Sequence, residues 1–280
     1  MRHRYILAGC LLALITNMVL AVEQNKQRFS YDDYAAVLKS HVNNEGLVNY
    51  KKLKARPQKL ESFVVIVDKL DPKSYSKYDD KEKIAFWLNA YNAFILKVII
   101  DNYPIKPNFF KSAYYPKNSI RQIVGVWDKI NFKVMGKNYT LEQIEHKILR
   151  KGFKEPRIHM AMVCAAMSCP PLRNEPYIDK KLDQQLDDQS RKFLANPKKF
   201  RIDYESGSMY LSPIFKWFAK DFVKTYGMKK KYRGHKNLLV AVIKFIDKHL
   251  PEEIAQKRLA DSRTYKITYL DYDWSLNEQK

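Results

Sequence analysis

The stretch that most constrains this chain runs from Asp79 to Asn102. Ile84, Trp87, Leu88, Tyr91, Phe94, Ile95 and Val98 recur at the spacing of one helical face, and Asp79 with Glu82 three residues on forms the reciprocal cap that starts such a helix. Asn102-Tyr103-Pro104 ends it. An apolar face this broad has to be covered by other elements, so this segment is expected to be the central helix of a globular core. The chain can supply the cover. Of its 280 residues 46% are apolar, with 8 Gly and 12 Pro, which excludes collagen, coiled-coil and multispan membrane architectures. No linker rich in Gly, Ser or Pro follows the first thirty residues and no repeat is visible, so residues 22–280 are read as a single domain.

Ser30 and Asp33 open a helix carrying Tyr34, Val37, Leu38 and His41, and Pro57 starts another with Leu60, Phe63, Val64 and Val67. Thr140, with Gln143 completing a capping box, begins a helix through Arg150 that Gly152 stops. Asp179 caps a helix with Leu182, Leu186, Phe193 and Leu194 inward, Ser212-Pro213 starts one, and Leu238 to Ile246 mark the last long one. Strands are expected over Ile120–Trp127 and Ile130–Val134 as a hairpin, over Arg157–Val163, over Phe200–Tyr204 with Met209–Leu211, and over Thr264–Leu270. The class is therefore α+β, mostly helical around the central helix, with a small, largely antiparallel sheet.

Arg2-His3-Arg4, an apolar run from Ile6 to Ala21 and the polar Glu23 to Gln27 read as a secretory signal peptide cleaved after Ala21. Leu7-Ala8-Gly9-Cys10 has lipobox chemistry, but the apolar run before Cys10 is short and continues well past it. The expectation is a periplasmic or secreted protein with no later segment apolar enough to span a bilayer. Formal net charge is +21, spread over clusters such as Lys51-Lys52-Lys54-Arg56, Lys147-Arg150-Lys151-Lys154-Arg157 and Lys229-Lys230-Lys231-Arg233. Outside the cytoplasm the matching partners are anionic envelope polymers or lipid headgroups rather than nucleic acid; the alternative is a solvated Lys-rich surface.

Three stretches could carry chemistry. Asn89 and Asn92 share a face of the central helix, where buried amides must be satisfied either by backbone from a neighbouring loop or by a ligand. In the helix after Thr140, Leu141, Glu145 and Ile148 fall on one inward face, placing a carboxylate where a general base or orienting acid would need it, beside His146 and one turn from Arg150. The run from Ile158 through His159, Cys164 and Cys169 to Leu172 ends in a loop stiffened by Pro170-Pro171. There Cys164 could be a nucleophile activated by His146 or His159, or be bonded to Cys169 as a disulfide in an oxidising compartment. A metal site is disfavoured because no second Cys-x-x-Cys or His-x-x-His pair completes it, and no cofactor motif is present.

Phe86 to Phe94, Ile144 to Arg150, Ile158 to Leu172 and the terminal Tyr272-Asp273-Trp274-Ser275-Leu276-Asn277 together resemble the DUF547 domain of bacterial exported proteins. The family is named for its unknown function, so the resemblance implies an architecture and candidate positions without a reaction. It implies roles for Asn89, Asn92, Glu145, His146, Arg150 and Cys164, which plant relatives match, whereas those relatives tend to have Ser where this chain has Cys169. That pattern points toward a role for Cys164 that needs no disulfide, and weakens His159 as an indispensable base. The sharp expectation is thiol-dependent amide or thioester chemistry: Cys164 attacks, His146 takes its proton, Glu145 or Asn89 orients the imidazole, and Asn92 or loop N–H groups hold the oxyanion. Arg150 and His159 would contact substrate. Papain-like and transglutaminase-like enzymes use the same groups, although their cysteine precedes the histidine. The competing expectation is a non-enzymatic binding or scaffolding domain.

Overall fold

Local caps decide where the first helices begin. In the computed structural model, which describes residues 29–227, 237–261 and 263–280, α1 (Asp32–His41), α2 (Tyr50–Ala55), α3 (Gln58–Lys69) and α4 (Pro72–Ser76) precede the central helix α5 (Asp80–Asp101). The Asp79 carboxylate accepts from Glu82 N–H while the Glu82 carboxylate accepts from Asp79 N–H, which closes the expected box at the start of α5. From Ile84 to Leu96 every residue of α5 is buried, because α2 and α3 pack on it and the 141–152 segment covers it further along. Length and composition alone would let α5 cross a membrane, contrary to the sequence expectation, but 89% of its most apolar window is buried within the fold.

The sheets are small. β1 (Phe132–Val134) and β2 (Lys137–Tyr139) form an antiparallel hairpin around Gly136, whose φ of +74° a side chain would resist. Next comes α6, over residues 141–152, and then α7 (Leu182–Ala195). β3 (Phe200–Asp203) and β4 (Ser208–Leu211) pair antiparallel, followed by α8 (Ile214–Trp217), α9 (Ala219–Tyr226), α10 (Asn237–His249) and α11 (Glu252–Ala260). β5 (Lys266–Tyr269) joins β4 in parallel, giving the order β3-β4-β5. Met160, Phe193, Phe200, Leu211, Phe215, Phe222, Phe245 and Ile246 make a second buried cluster among α7, β3, β4 and α8 to α10. The class is α+β, as the residue patterns require.

Two expected strands do not form. Ile120–Gln122 is a 3₁₀ turn started by Ser119, whose hydroxyl accepts from Arg121 N–H, and Gly125 at φ +69° turns the chain again. Pro156–Met160 is likewise a 3₁₀ helix, and 161–163 continue as irregular backbone. Apart from the exposed Val124, the apolar residues of both runs are buried or half-buried, and burial alone does not select strand from helix.

α6 also departs from expectation. Thr140 and Gln143 form the capping box, but Ile144–Leu149 is wound as a π-helix, with Arg150 N–H donating to Glu145 O. The wider turn brings Leu149 rather than Ile148 into the core with Leu141 and Ile144. The expected signal peptide, Cys10 and the Lys229–Arg233 cluster lie outside the described residues; Asp32–Lys280 forms one unit.

Candidate functional site

A cavity of about 230 Å³ opens between α5, α6, the Cys164 loop, α8 and the C-terminal segment. Glu145, His159, Cys164 and Cys169 line it, so the structure brings these four sequence candidates together. Its walls are aromatic and apolar, with Trp127, Trp217, Phe218 and Trp274 prominent, and Arg121 contributes a guanidinium.

The two asparagines build this site from behind. Asn89 Nδ2 donates to Tyr177 O at 2.8 Å while its Oδ1 accepts from Tyr177 N at 2.9 Å. Asn92 does the same one turn later, donating to Ala161 O at 3.0 Å and accepting from Val163 N at 2.9 Å. Both amides are buried and engaged with backbone on each side. They pin the segments before and after the cysteine loop to α5, and this contact needs no ligand.

Cys164 and Cys169 are joined as a disulfide, with Cα atoms 6.1 Å apart, so neither sulfur is a free thiol in this structure. Cys169 is buried and Cys164 is partly exposed to the cavity. Cys164 N–H points at Cys169 Sγ at 2.8 Å, and the Tyr272 hydroxyl lies 3.3 Å from each sulfur. The loop between the cysteines is stapled to the C-terminal segment. Met167 N donates to Ser275 O, Ser168 N to Asp273 O, Asp273 N to Ser168 Oγ and Asn277 N to Ala165 O. Ala165 itself sits at φ +56°. The same segment thus holds the loop and supplies Tyr272 and Trp274 to the cavity wall. Behind the loop, the buried Lys199 ammonium bonds the Cys169 carbonyl, and burial lowers its pKa to about 8.

His159 is the buried histidine of the cavity. Its Nε2 lies 2.9 Å from Asp221 Oδ2, and because a carboxylate accepts, Nε2 carries the proton. Burial pulls its pKa below the usual histidine range against the opposing pull of Asp221, so the ring is neutral near pH 7 and Nδ1 holds a lone pair. That Nδ1 is buried without a hydrogen-bond partner. Burial works to raise the Asp221 carboxyl, but the bonds from His159 and from Arg150 Nε at 2.6 Å outweigh it and hold Asp221 ionised far below the usual range. Phe218 stacks on the imidazole at 4.1 Å, and the Arg150 guanidinium also lies over the Phe218 ring at 4.8 Å. Arg150 therefore serves Asp221 and is not among the residues lining the cavity.

His146, expected as the base, is also not among the lining residues. It is partly exposed, its Nδ1 meets Arg150 Nη1, and it lies 3.9 Å from Glu145 Oε1. Glu145 accepts from the Tyr91 hydroxyl at 3.4 Å. Burial first, and then the charge of Glu145, raise the pKa of both Tyr91 and Tyr272, keeping both phenols protonated. Among the described residues no group of three or more His, Cys, Asp or Glu side chains converges as metal ligands would.

Sequence reasoning missed Asp221, Arg121 and Trp127 as site residues. Asp221 sits on a short amphipathic helix and is separated from His159 by 62 positions, so no local spacing announces the pair.

A buried, carboxylate-held histidine that lines the same aromatic cavity as a cystine defines a helical α+β domain with a candidate acid–base site. Residues 75–194 match the family model described as "Protein of unknown function, DUF547". A search of curated proteins and a search of solved structures each found no match.

Proposed function

We propose that the reduced form of this protein is a thiol-dependent acyl hydrolase or acyl transferase, with Cys164 as nucleophile and His159, held by Asp221, as its base. The observation that carries the reading is the His159 ring: Nε2–H is committed to Asp221, Nδ1 is a buried lone pair without a partner, and the ring lines the same cavity as Cys164. A base oriented by a carboxylate beside a cysteine is the arrangement that activates a thiol.

A thiol reductant first opens the Cys164–Cys169 bond, giving two cysteine thiols as two reductant thiols become a disulfide. His159 Nδ1 then takes the Cys164 proton, and Asp221 stabilises the imidazolium. The thiolate adds to the acyl carbonyl, and the protonated Tyr272 hydroxyl, 3.3 Å from Cys164 Sγ, donates to the developing oxyanion. The imidazolium returns its proton to the leaving amine or thiolate, and water or an acceptor releases the acyl group from sulfur. Trp127, Ile214, Trp217 and Trp274 favour an apolar or aromatic acyl part. Glu145 positions Tyr91, and Asn89 and Asn92 fix the loops. In this reading the protein is exported, where the disulfide is its oxidised form.

Reduced protein is treated with a p-nitrophenyl ester of a short acyl group and digested for mass analysis. An acyl adduct on the Cys164 peptide, formed after reduction and lost in His159→Ala, is expected. No adduct on folded, reduced protein, or an equal adduct in His159→Ala, would overturn the reading. The bonded sulfurs favour a second reading, a binding domain whose aromatic cavity holds its ligand without chemistry, and the same absence of adduct would leave that one standing.

A further inference from the structure

The segment between α5 and β1 exposes three large rings. Phe109 is 88% exposed, Phe110 80% and Tyr114 83%, in a fold that otherwise buries most of its phenylalanines. Exposure this high places the rings on a projecting turn, where they cover no part of the core.

They are held there by a built scaffold. Gln122 is buried beneath the turn: its Oε1 accepts from Asn108 N at 2.9 Å, and its Nε2 donates to Tyr115 O at 3.1 Å and Pro116 O at 3.0 Å. Asn108 Oδ1 accepts from Lys111 N, and Ser112 Oγ donates to Asn108 O at 2.7 Å. Ser119, fully buried, closes the far end by donating its N–H to Pro116 O. Phe109 and Phe110 pack edge to face at 5.5 Å, forming one apolar tip.

The charge around the tip has one sign. From Asn102 to Trp127 there is no Asp or Glu, while Lys106, Lys111, Lys117 and Arg121 fall within the same span. Lys106 and Lys117 are exposed, and neither makes an ion pair among the described residues. Arg121 is already held between Tyr115 and Trp274 at the cavity wall. Aromatic rings at the tip of a turn with free ammoniums around its base match the boundary of an anionic bilayer, where rings enter among the acyl chains and ammoniums meet phosphate.

We infer that the turn carrying Phe109, Phe110 and Tyr114 docks the protein on the surface of an anionic lipid membrane. Lipid rather than protein is favoured by the acid-free span, the protruding tip and the net charge of +21. The contact is peripheral: two or three rings and two or three lysines give reversible, salt-sensitive binding.

The test uses the full chain and floats it with vesicles of phosphatidylcholine alone or with added phosphatidylglycerol. Wild type and Phe109→Ser/Phe110→Ser share every other segment, so their difference reports the tip. The expected result is binding to the anionic vesicles that weakens roughly 10-fold in the double variant and falls as salt rises. A Phe110→Trp reporter should shift its emission to the blue on anionic vesicles. Thermal melts of the surface variants check that the fold is intact. Equal flotation of wild type and double variant, or an unshifted reporter, would overturn the inference. So would self-association of wild type in light scattering that the double variant abolishes, since the rings would then belong to an interface between two copies.

Discussion

Asn89 grips Tyr177 at both backbone groups, Nδ2 on its carbonyl and Oδ1 on its N–H, across 88 positions of sequence. Asn92 repeats the grip on Ala161 and Val163. Asn89→Leu and Asn92→Leu should each lower stability by about 1–3 kcal/mol, because each strands a buried N–H and C=O, although leucine is the better helix former. Urea denaturation measures the change. An unaltered or raised midpoint would contradict the account.

His159 is held neutral by burial, with its pKa below the usual range. The unfolded chain takes a proton on this histidine at ~6.5 while the folded protein resists it. Its stabilising contribution is therefore full above that value and shrinks as pH falls below it. Denaturation curves between pH 8 and 5 should show wild type losing stability more steeply than His159→Gln over about pH 6.5 to 5. His249, which burial also lowers, contributes a slope of the same sign that remains in the variant. Asp221, held low, acts in a separate window below ~4. Parallel curves for the two proteins would show that His159 titrates freely.

The cysteine loop is fixed by the C-terminal segment as well as by the disulfide, and only five positions separate the cysteines. Reduction should cost no more than about 2 kcal/mol, since a loop this short gains little from closure. Circular dichroism and urea melts with and without reductant check this. Unfolding on reduction would mean that the disulfide, and not the hydrogen bonds from 273–277, holds the site, and reduced chemistry at Cys164 would have no scaffold.

The fold was legible where periodicity and caps agreed. The α5 stripe, the Asp79–Glu82 and Thr140–Gln143 boxes and the β3–β4 hairpin all stand where local sequence puts them. The runs 120–127 and 157–163 misled because an apolar run reports burial, while Ser119, Gly125 and Pro156 decide the backbone. No spacing announces the π-turn in α6, since its extra residue is absorbed by packing of Leu149 against the core. Of the cavity, Glu145, His159 and the two cysteines were visible because they are chemically unusual in apolar surroundings. Asp221 and Trp127 were not, because what makes them part of a site is contact with segments distant in sequence. Tyr272 and Trp274 could be seen only as part of a terminal motif, with no indication that they face the sulfurs.

The central claim is that His159 and Asp221 act on the Cys164 thiol. Its most direct test is the rate of iodoacetamide alkylation of Cys164 against pH in reduced, folded protein, resolved from Cys169 by peptide mass. The account predicts half-maximal reactivity clearly below the ~8.5 of an ordinary thiol in wild type, moving up in both His159→Ala and Asp221→Asn. A profile centred at ~8.5 or above that neither substitution moves would contradict it.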